Sequence, residues 1–384
     1  MSKAAVRANW SVTTLGQIAG LVMGKTPPRN EKQYWTDALT HPFCTIADME
    51  GKWIHPKREG VTSTALQNAK ARKVSAGSLM MSFKLTIGRV GFAGVDLYPN
   101  EAIVAIDVNP NISTKEYLYL VLGSQDLTHG SGRAIKGATL NSASLAAIPL
   151  LLPPLSEQKR IVDVLASVDA YIAALQQQAA DAQTTRNAVL HELLTAGGDD
   201  WAETTLGEVA LIQQGQNLAI ATLTTGEYPV YGANGIVGHF DRWNSDQEVV
   251  ALGCRGSCGT VHIVTGKAWL ANNVMAIWPK DVSQITASFI ALVLETADLR
   301  TSGVVSGQVQ PQITRTSLSP LILTFPSLSA QVRIVEIVSA MDAVIHASEQ
   351  AVTEAKNLRS GLLSDLLSGE HEIPATYDHL LGAA

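Results

Sequence analysis

The chain has 384 residues, of which 46% are hydrophobic and 16% are charged, and its formal net charge at pH 7 is −6. A chain of this length and composition predicts two or three domains with substantial hydrophobic cores. Its three cysteines, Cys44, Cys254 and Cys258, are too few for a disulfide framework, and no apolar run is long enough to cross a membrane. We therefore expect a cytoplasmic protein without a signal peptide or a membrane segment.

The charge is distributed unevenly along the chain. Residues 1–154 contain 16 Lys and Arg against 10 Asp and Glu, a net charge of +6, whereas residues 155–200, 201–327 and 328–384 have net charges of −4, −3 and −5. A basic segment indicates a surface that can face a polyanion such as nucleic acid. The acidic charge of residues 201–327 does not agree with this simple interpretation.

Residues 1–154 have the sequence pattern of an α+β domain. Short β-branched or apolar runs, separated by Gly, Pro and Asn, predict β-strands at 52–55, 78–83, 89–93 and 102–108. A capping box from Ser113 to Glu116 predicts the start of a helix that continues through 117–122.

Three loops of this first segment carry basic or amide side chains. Residues 20–26 are one residue short of a phosphate-binding loop and two prolines follow them, so we favour a turn that presents Lys25 and Arg29 over a nucleotide site. A second loop carries Lys84, four positions before Gly88. The third loop, at 131–141, contributes Arg133, Lys136 and Asn141. Each of these side chains can contact a nucleic acid or remain solvated.

Residues 155–196 are predicted to form one long helix. Apolar side chains recur at alternating steps of four and three, which is the spacing of a coiled-coil seam, and Arg186 is the one charged member. Pro153 and Pro154 precede the run, Ser156 is a suitable N-cap, and two glycines follow. The seam consists of Ile161, Leu165, Val168, Ile172, Leu175, Ala179, Ala182, Arg186, Val189 and Leu193. A helix of roughly 60 Å needs a partner to cover such a seam.

The second half of the chain repeats the first. The opening WSVTTLGQIA at 10–19 recurs as WAETTLGEVA at 201–210, and YLYLVLGSQDL at 117–127 recurs as FIALVLETADL at 289–299. Strand-like runs follow in the same order, at 249–252, 260–264 and 273–278. Repetition of this kind predicts two domains of one design.

The polar loops are repeated as well. Arg255 corresponds to Lys84 at an offset of 171, and both are followed by glycine four positions later. Cys254, Cys258 and His262 have the spacing of zinc ligands, but their segment is too rich in glycine for a helix and offers no fourth ligand, so we expect no metal. The loop at 302–315 contributes Gln308, Gln310, Gln312 and Arg315.

Residues 328–368 repeat the long helix. The sequence LSEQKRIV returns 173 positions later as LSAQVRIV at 328–335, and Arg359 corresponds to Arg186. Two matched helices in one chain are expected to pack antiparallel along their seams. The second seam consists of Ile334, Val338, Met341, Ile345, Ser348, Val352, Ala355, Arg359, Leu362 and Leu366.

The predicted fold class is therefore α+β with an internal repeat. Two similar globular domains, at 1–154 and 198–327, are joined by two long antiparallel coiled-coil helices at 155–197 and 328–384, the last range including a C-terminal tail. The sequence contains no cofactor fingerprint, methyltransferase motif, helicase loop or catalytic triad above chance. We therefore do not expect an enzyme.

The repeated openings, the proline-led LSEQKRIV helices and the GKTPP and YPVYGANGIVG stretches together resemble the specificity subunits of type I restriction-modification enzymes. The resemblance covers essentially the whole chain, and its most specific element is the repeated start of the long helices. It implies a non-catalytic DNA reader in which each globular domain is a target recognition domain for one half of a bipartite sequence. The helices would then act as a ruler between the two halves.

The resemblance also implies partners, namely double-stranded DNA, two methyltransferase subunits and restriction subunits. S-adenosylmethionine would be bound by the methyltransferase partner, and ATP and Mg by the restriction partner, with no cofactor on this chain. The alternative is a coiled-coil scaffold or interaction protein of another DNA-modifying or defence complex. The DNA-binding candidates are Lys25, Arg29, Lys84, Arg133, Lys136, Asn141, Arg255, Gln308, Gln310, Gln312 and Arg315.

Overall fold

The computed structural model describes residues 9–127, 140–198, 201–219, 222–299, 302–307 and 310–378. The chain forms two compact units, one of residues 1–173 with 353–384 and the other of residues 174–352. Each unit contains one globular domain together with part of each of two long helices. The α+β prediction is confirmed.

The first domain contains eleven described strands, four described α-helices and two short 3-10 helices, at Lys32–Tyr34 and Ile46–Asp48. The α-helices are α1 (Leu15–Ile18), α2 (Ser63–Asn68), α3 (Lys115–Ser124) and α4 (Ser142–Ala146). The strands are β1 (Ser11–Thr14), β2 (Ala19–Met23), β3 (Trp35–Thr36), β4 (Phe43–Cys44), β5 (Trp53–Ile54), β6 (Gly60–Val61), β7 (Leu79–Ser82), β8 (Val90–Ala93), β9 (Tyr98–Pro99), β10 (Ile103–Val108) and β11 (Pro149–Leu152).

The central sheet of the first domain has the strand order β2-β10-β7-β8-β5. Helix α3 covers one face of this sheet, where Tyr117 and Leu118 join Phe92 and Val104 in the main core. Burial of these side chains contributes roughly 1.5–3 kcal/mol each, which stabilises the sheet far more than strand propensity does. The first strand, β1, instead pairs with β11 immediately before the first long helix.

The first long helix is α5 (Leu155–Thr195). The second domain follows with the helices α6 (Leu206–Val209), α7 (Ala287–Thr296) and α8 (Arg315–Leu318). Its strands are β12 (Ala202–Thr205), β13 (Ala210–Gln214), β14 (Tyr228–Gly232), β15 (Gly235–Phe240), β16 (Val249–Gly253), β17 (Val261–Val264), β18 (Trp269–Leu270), β19 (Val274–Pro279), β20 (Val305–Ser306), β21 (Gln312–Ile313) and β22 (Ile322–Phe325). The second long helix is α9 (Leu328–Ser368).

The second domain repeats four of the five strands in the central sheet of the first domain. Its order β13-β19-β16-β17 matches β2-β10-β7-β8. The register is also repeated, because Val104 lies opposite Met23 in the first sheet and Met275 lies opposite Gln214 at the corresponding place in the second. The parallel pair β14-β18 of the second domain corresponds to the parallel pair β4-β9 of the first, and the second domain adds β15 to that pair.

The two long helices run antiparallel within each unit. In the first unit, Ile161 and Leu165 near the start of α5 share a core with Leu366 near the end of α9. In the second unit, Leu190 near the end of α5 shares a core with Ile334 and Val338 near the start of α9. All twenty seam positions expected from the sequence are buried or half-buried.

Two predicted helix caps are wrong. Helix α3 is capped by Thr114, whose hydroxyl accepts from the Tyr117 amide at 3.1 Å, because the Ser113 hydroxyl donates instead to Gln158 at 2.8 Å. Helix α5 begins at Leu155, so Ser156 lies inside its first turn. The carbonyl of Pro154 takes the first helical hydrogen bonds, at 2.9 and 3.0 Å, and no side-chain cap is needed.

Of the described helices, none combines the length and the apolar character needed to cross a membrane.

Candidate nucleic-acid interface

The loop from Ser82 to Gly88, between β7 and β8, presents Lys84 at the end of the central sheet. Its backbone closes through a hydrogen bond from the Gly88 amide to the Ser82 carbonyl at 2.9 Å. Leu85 has a positive φ of 63° and Gly88 a φ of 87°. These two left-handed residues turn the chain sharply enough to place Lys84 and Leu85 at the tip.

The loop from Gly253 to Gly259 in the second domain has the same construction. The Gly259 amide donates to the Gly253 carbonyl at 2.9 Å, and the left-handed positions are Gly256 (φ 74°) and Gly259 (φ 94°). Arg255, which is exposed, takes the place of Lys84. The correspondence expected from the sequence offset of 171 is therefore a correspondence of backbone conformation.

Each basic loop lies beside the last polar loop of its domain. The Leu140 amide donates to the Phe83 carbonyl at 3.0 Å, which brings Asn141 next to Lys84. In the second domain the Ile313 amide donates to the Cys254 carbonyl at 2.9 Å, and Arg255 forms an isolated β-bridge with Gln312. Segments far apart in sequence thus meet at one edge of each domain.

The turn after the first strand of each central sheet completes this edge. The Lys25 amide donates to the Pro99 carbonyl at 2.9 Å, and a Cβ on Gly24 would lie 2.1 Å from the Asn100 carbonyl oxygen. Gly215 has the same role, since its Cβ would lie 2.2 Å from the Ala271 carbonyl oxygen. Only glycine permits this approach. The second domain then presents Gln216 and Asn217 where the first has Lys25 and Thr26.

In the first domain, a carboxylate lies among the basic side chains. Glu101 accepts a hydrogen bond from the Thr26 hydroxyl. Burial raises the pKa of Glu101, but the hydrogen bond from Thr26 and the charges of Lys84 and Arg29 outweigh burial, and the net effect is a lowered pKa. Glu101 therefore remains ionised at neutral pH, hydrogen-bonded to the glycine turn through Thr26 and attracted electrostatically to Lys84.

Two candidates already have partners. The Arg29 guanidinium donates to both oxygens of Glu59 at 2.7 and 2.9 Å and lies 3.7 Å from the centroid of the Trp35 ring. A phosphate contact by Arg29 would have to displace Glu59. Asn141 caps α4, because its Oδ1 accepts from the Ser144 amide at 2.8 Å. DNA contact by these two residues stays a prediction.

The other candidates are exposed or lie outside the described residues. Lys25, Arg255, Gln310, Gln312 and Arg315 are exposed, and Lys84 is half-buried. Arg133, Lys136 and Gln308 lie outside the described residues. Sequence reasoning did not identify Leu85, Gln216 and Asn217; comparison of the aligned loops position by position would have shown each of them.

Cys254, Cys258 and His262, which have the sequence spacing of zinc ligands, do not form a metal site in the structure. Among the residues that the structure describes, no three His, Cys, Asp or Glu side chains are placed to hold a metal ion. Cys254 is buried, and this burial raises the pKa of its thiol. Cys258 lies with its Sγ 3.0 Å from the Pro311 carbonyl, so it packs against the polar loop.

Two copies of one α+β domain, each with a basic loop beside a polar loop, and joined by two long helices, define a protein built for duplicated recognition. The family described as "Type I restriction modification DNA specificity domain" matches residues 7–182 and 198–355. These two ranges cover most of the chain. The chain therefore belongs to this family of type I restriction-modification DNA specificity domains.

Curated relatives support this membership. The EcoprrI specificity subunit of Escherichia coli is 21% identical over 371 residues, or 90% of each chain. The HindI specificity subunit of Haemophilus influenzae is 25% identical over 153 residues, and the MjaIX specificity subunit of Methanocaldococcus jannaschii is 24% identical over 176 residues. The matches cover 38% and 44% of this chain, but only 33% and 40% of those two relatives.

Solved structures are similar over nearly the whole chain. A structure from work on complex assembly and conformational transition of the type I R-M system has a TM-score of 0.66 at 16% identity, covering 94% of this chain and 98% of that one. The S subunit from M. genitalium has a TM-score of 0.57 at 16% identity, covering 95% and 98%. At this level of identity the likeness concerns the fold alone.

Leu85 gives the first prediction. It is 73% exposed and occupies a left-handed conformation that costs a leucine roughly 1–2 kcal/mol, while the equivalent Gly256 bears no such cost. We expect Leu85→Gly to leave the unfolding temperature unchanged or raise it, and to weaken DNA binding about threefold to tenfold through loss of an apolar base contact. The measurement is a binding titration on DNA targets that carry either thymine or uracil, which lacks the methyl group, in the half-site of the first domain.

The control is the reverse exchange in the second domain, Gly256→Leu. It introduces a leucine in the same left-handed conformation at a place where no base contact is expected. The apolar contact is contradicted if Leu85→Gly binds every target as tightly as the unchanged protein does. If Leu85→Gly also weakens binding to uracil targets, the loss of affinity comes from the changed shape of the loop and not from a lost contact with the thymine methyl group.

Proposed function

We propose that this chain reads a bipartite DNA sequence, one half with each globular domain, on behalf of a type I restriction-modification complex. The main support for this proposal is that a basic loop, a polar loop and a glycine turn meet at one edge of each domain. Arginine, lysine, glutamine and asparagine side chains are the ones that contact phosphates and base edges. The chain itself supplies recognition, and its partners supply catalysis.

We further propose that the long helices hold the methyltransferase subunits. Apolar side chains remain exposed on their outer faces, Tyr171 and Leu358 in the first unit and Val332, Ile337 and Val344 in the second. In the second unit, Ala182, Met341 and Val344 line an apolar groove of about 390 Å³. Exposed apolar side chains on otherwise polar helices, together with this apolar groove, favour a protein partner. In this proposal S-adenosylmethionine belongs to the methyltransferase subunits, and ATP and Mg to the restriction subunits.

The test is a map of methylated bases in host DNA with and without this gene. We expect an interrupted, two-part methylated motif that disappears when the gene is deleted and returns when it is restored. Purified chain with methyltransferase subunits should restore the same motif in vitro, whereas the chain alone should transfer no methyl group. A methylation pattern unaffected by deletion would reject DNA recognition and favour the scaffold alternative.

The length of α5 gives a second prediction. Inserting four residues near Thr195 adds about 6 Å of helix, roughly two base-pair steps. We expect the spacer between the two halves of the methylated motif to lengthen by one or two base pairs, with both halves unchanged. Replacing four exposed residues of the same stretch by alanine, at constant length, is the control. A motif with its original spacer after insertion contradicts the ruler.

A further inference from the structure

Two arginines at equivalent positions of the long helices differ in their partners. In the second unit, Arg186 is buried and binds two carboxylates. Its Nε donates to Asp342 at 2.8 Å, and its Nη2 donates to Glu295 at 3.0 Å, while Nη1 also bonds to Glu295. Burial lowers the pKa of Arg186, but these hydrogen bonds and charges outweigh burial and raise it. One guanidinium thus holds two acids.

In the first unit, Arg359 has only one of these acids. Its Nε and Nη2 bond to Asp169, which corresponds to Asp342. Among the described residues, Nη1 of Arg359 has no hydrogen-bond acceptor. The position equivalent to Glu295 is Gly123, on α3, and a Cβ built there would have no heavy atom within 4 Å. The second carboxylate of the repeat is therefore missing in the first unit, and its place is open.

The open place is part of a cleft of about 500 Å³ in the first unit. Arg89 and Arg359 line it together with Tyr119, Gly123 and Leu363, and Glu50 is the one acidic side chain in the lining. Arg89 donates from Nη1 to the Ile46 carbonyl at 3.1 Å, which fixes its direction. Arg89 and Arg359 are balanced by Glu50 and Asp169, so the cleft has no net charge to hold a polyanion, and a single carboxylate would bind it through direct hydrogen bonds to the Arg359 guanidinium.

We propose that this cleft binds a carboxylate side chain of a methyltransferase subunit, which supplies from outside the bond that Glu295 makes within the second unit. The proposal rests on the proposed function, because it assigns a contact to that partner. Arg186 shows that a guanidinium in this setting can take a carboxylate on its Nη1 edge while keeping its Asp partner. Tyr119 lies beside Arg359, and burial raises the pKa of its hydroxyl, which stays protonated as a further donor.

The second unit fills this place with its own Glu295, so a methyltransferase subunit can form the bond only at the first unit. The two partner sites of the repeat are therefore unequal in affinity, although the helices that form them are alike in sequence. Occupancy of the first-unit site would then respond to acidic residues of the partner and to salt.

The experiment introduces a glutamate at position 123 of the full-length chain, the position equivalent to Glu295. Gly123→Glu is expected to place a carboxylate against Arg359, to keep or raise the unfolding temperature, and to weaken binding of one methyltransferase subunit at least tenfold. In native mass spectrometry, complexes should stall at one methyltransferase subunit under conditions where the unchanged chain binds two. Ser124→Glu, which adds the same charge to an exposed neighbour outside the cleft lining, is the matched control and should assemble normally.

Gly123→Gln separates charge from size. It should weaken assembly clearly less than Gly123→Glu, because an amide neither neutralises Arg359 nor repels an incoming acid. Equal losses for Gln and Glu, or no loss for either, would overturn the proposal. A loss of DNA affinity with normal assembly would assign the cleft to phosphate and also overturn it. Failure of the unchanged chain to bind any methyltransferase subunit would reject the proposed function itself, which is a distinct result.

Discussion

Charge reversal at Lys84 is expected to lower the affinity of the assembled complex for its DNA target about 10-fold to 100-fold. The change removes one phosphate or base contact and places a carboxylate beside Glu101, which is already ionised. Each contact of this kind is worth about 1–3 kcal/mol. Affinity should be measured for Lys84→Glu at several salt concentrations, where the slope of log K against log salt should fall by about one.

The matched variant is Arg255→Glu in the second domain. Because the two loops share their backbone hydrogen bonds and left-handed positions, the two substitutions should have similar effects on protein stability. They should differ in DNA specificity, since each disturbs only one half of the target. Competition with DNA altered in one half at a time measures this difference. If both variants lose affinity equally for all competitors, the loops provide only non-specific attraction.

The long helices were predictable because their periodicity is local. A seam with steps of four and three specifies which side chains face a partner helix, and each expected position is buried or half-buried. The internal sequence repeat identified the second long helix as the partner of the first, so their antiparallel arrangement within each unit could also be predicted. The role of Arg186 could not, because its second acid, Glu295, belongs to a helix more than a hundred residues away.

The sheets and loops show the opposite situation. The sequence predicted β5, β7, β8 and β10 of the central sheet but not β2, and the order β2-β10-β7-β8-β5 depends on pairings between distant segments that no local pattern encodes. The same holds for Arg29, whose ion pair with Glu59 is formed only on folding, and for Gly24, whose lack of a side chain is required by the Asn100 carbonyl. Residue types identified the candidate loops, whereas their neighbours were determined by tertiary structure.

The repeated helix start illustrates both situations. The sequence shows that LSEQKRIV and LSAQVRIV correspond, and the structure gives the reason why glutamine is kept in both. Gln158 and Gln331 are each 0% exposed. Gln158 donates to the Ile112 and Pro153 carbonyls at 3.1 and 2.9 Å and accepts from the Ser113 hydroxyl at 2.8 Å. One amide therefore joins the long helix to the segment that starts α3.

Gln158→Ala is accordingly expected to destabilise the first unit by about 3–5 kcal/mol. Removal of the amide leaves the buried Pro153 carbonyl, the partly buried Ile112 carbonyl, the Ser113 hydroxyl and the Thr114 amide without this partner. Each such loss costs about 1–3 kcal/mol where water cannot enter. Denaturant unfolding should show a lower midpoint. Hydrogen exchange should show faster exchange at the Thr114 amide, which donates to Gln158 Oε1 at 3.3 Å.

Gln331→Ala is the matched variant in the second unit, where Gln331 donates to the Gln284 and Pro326 carbonyls at 2.8 and 3.0 Å and accepts from the Thr286 amide at 3.1 Å. It should increase exchange at Thr286 and leave Thr114 protected, whereas Gln158→Ala should do the reverse. Lys159→Ala, at an exposed neighbouring position, should change neither. Normal stability of Gln158→Ala would mean that the helix is held to its domain by apolar packing alone, and the repeated glutamine would then have no structural explanation in these bonds.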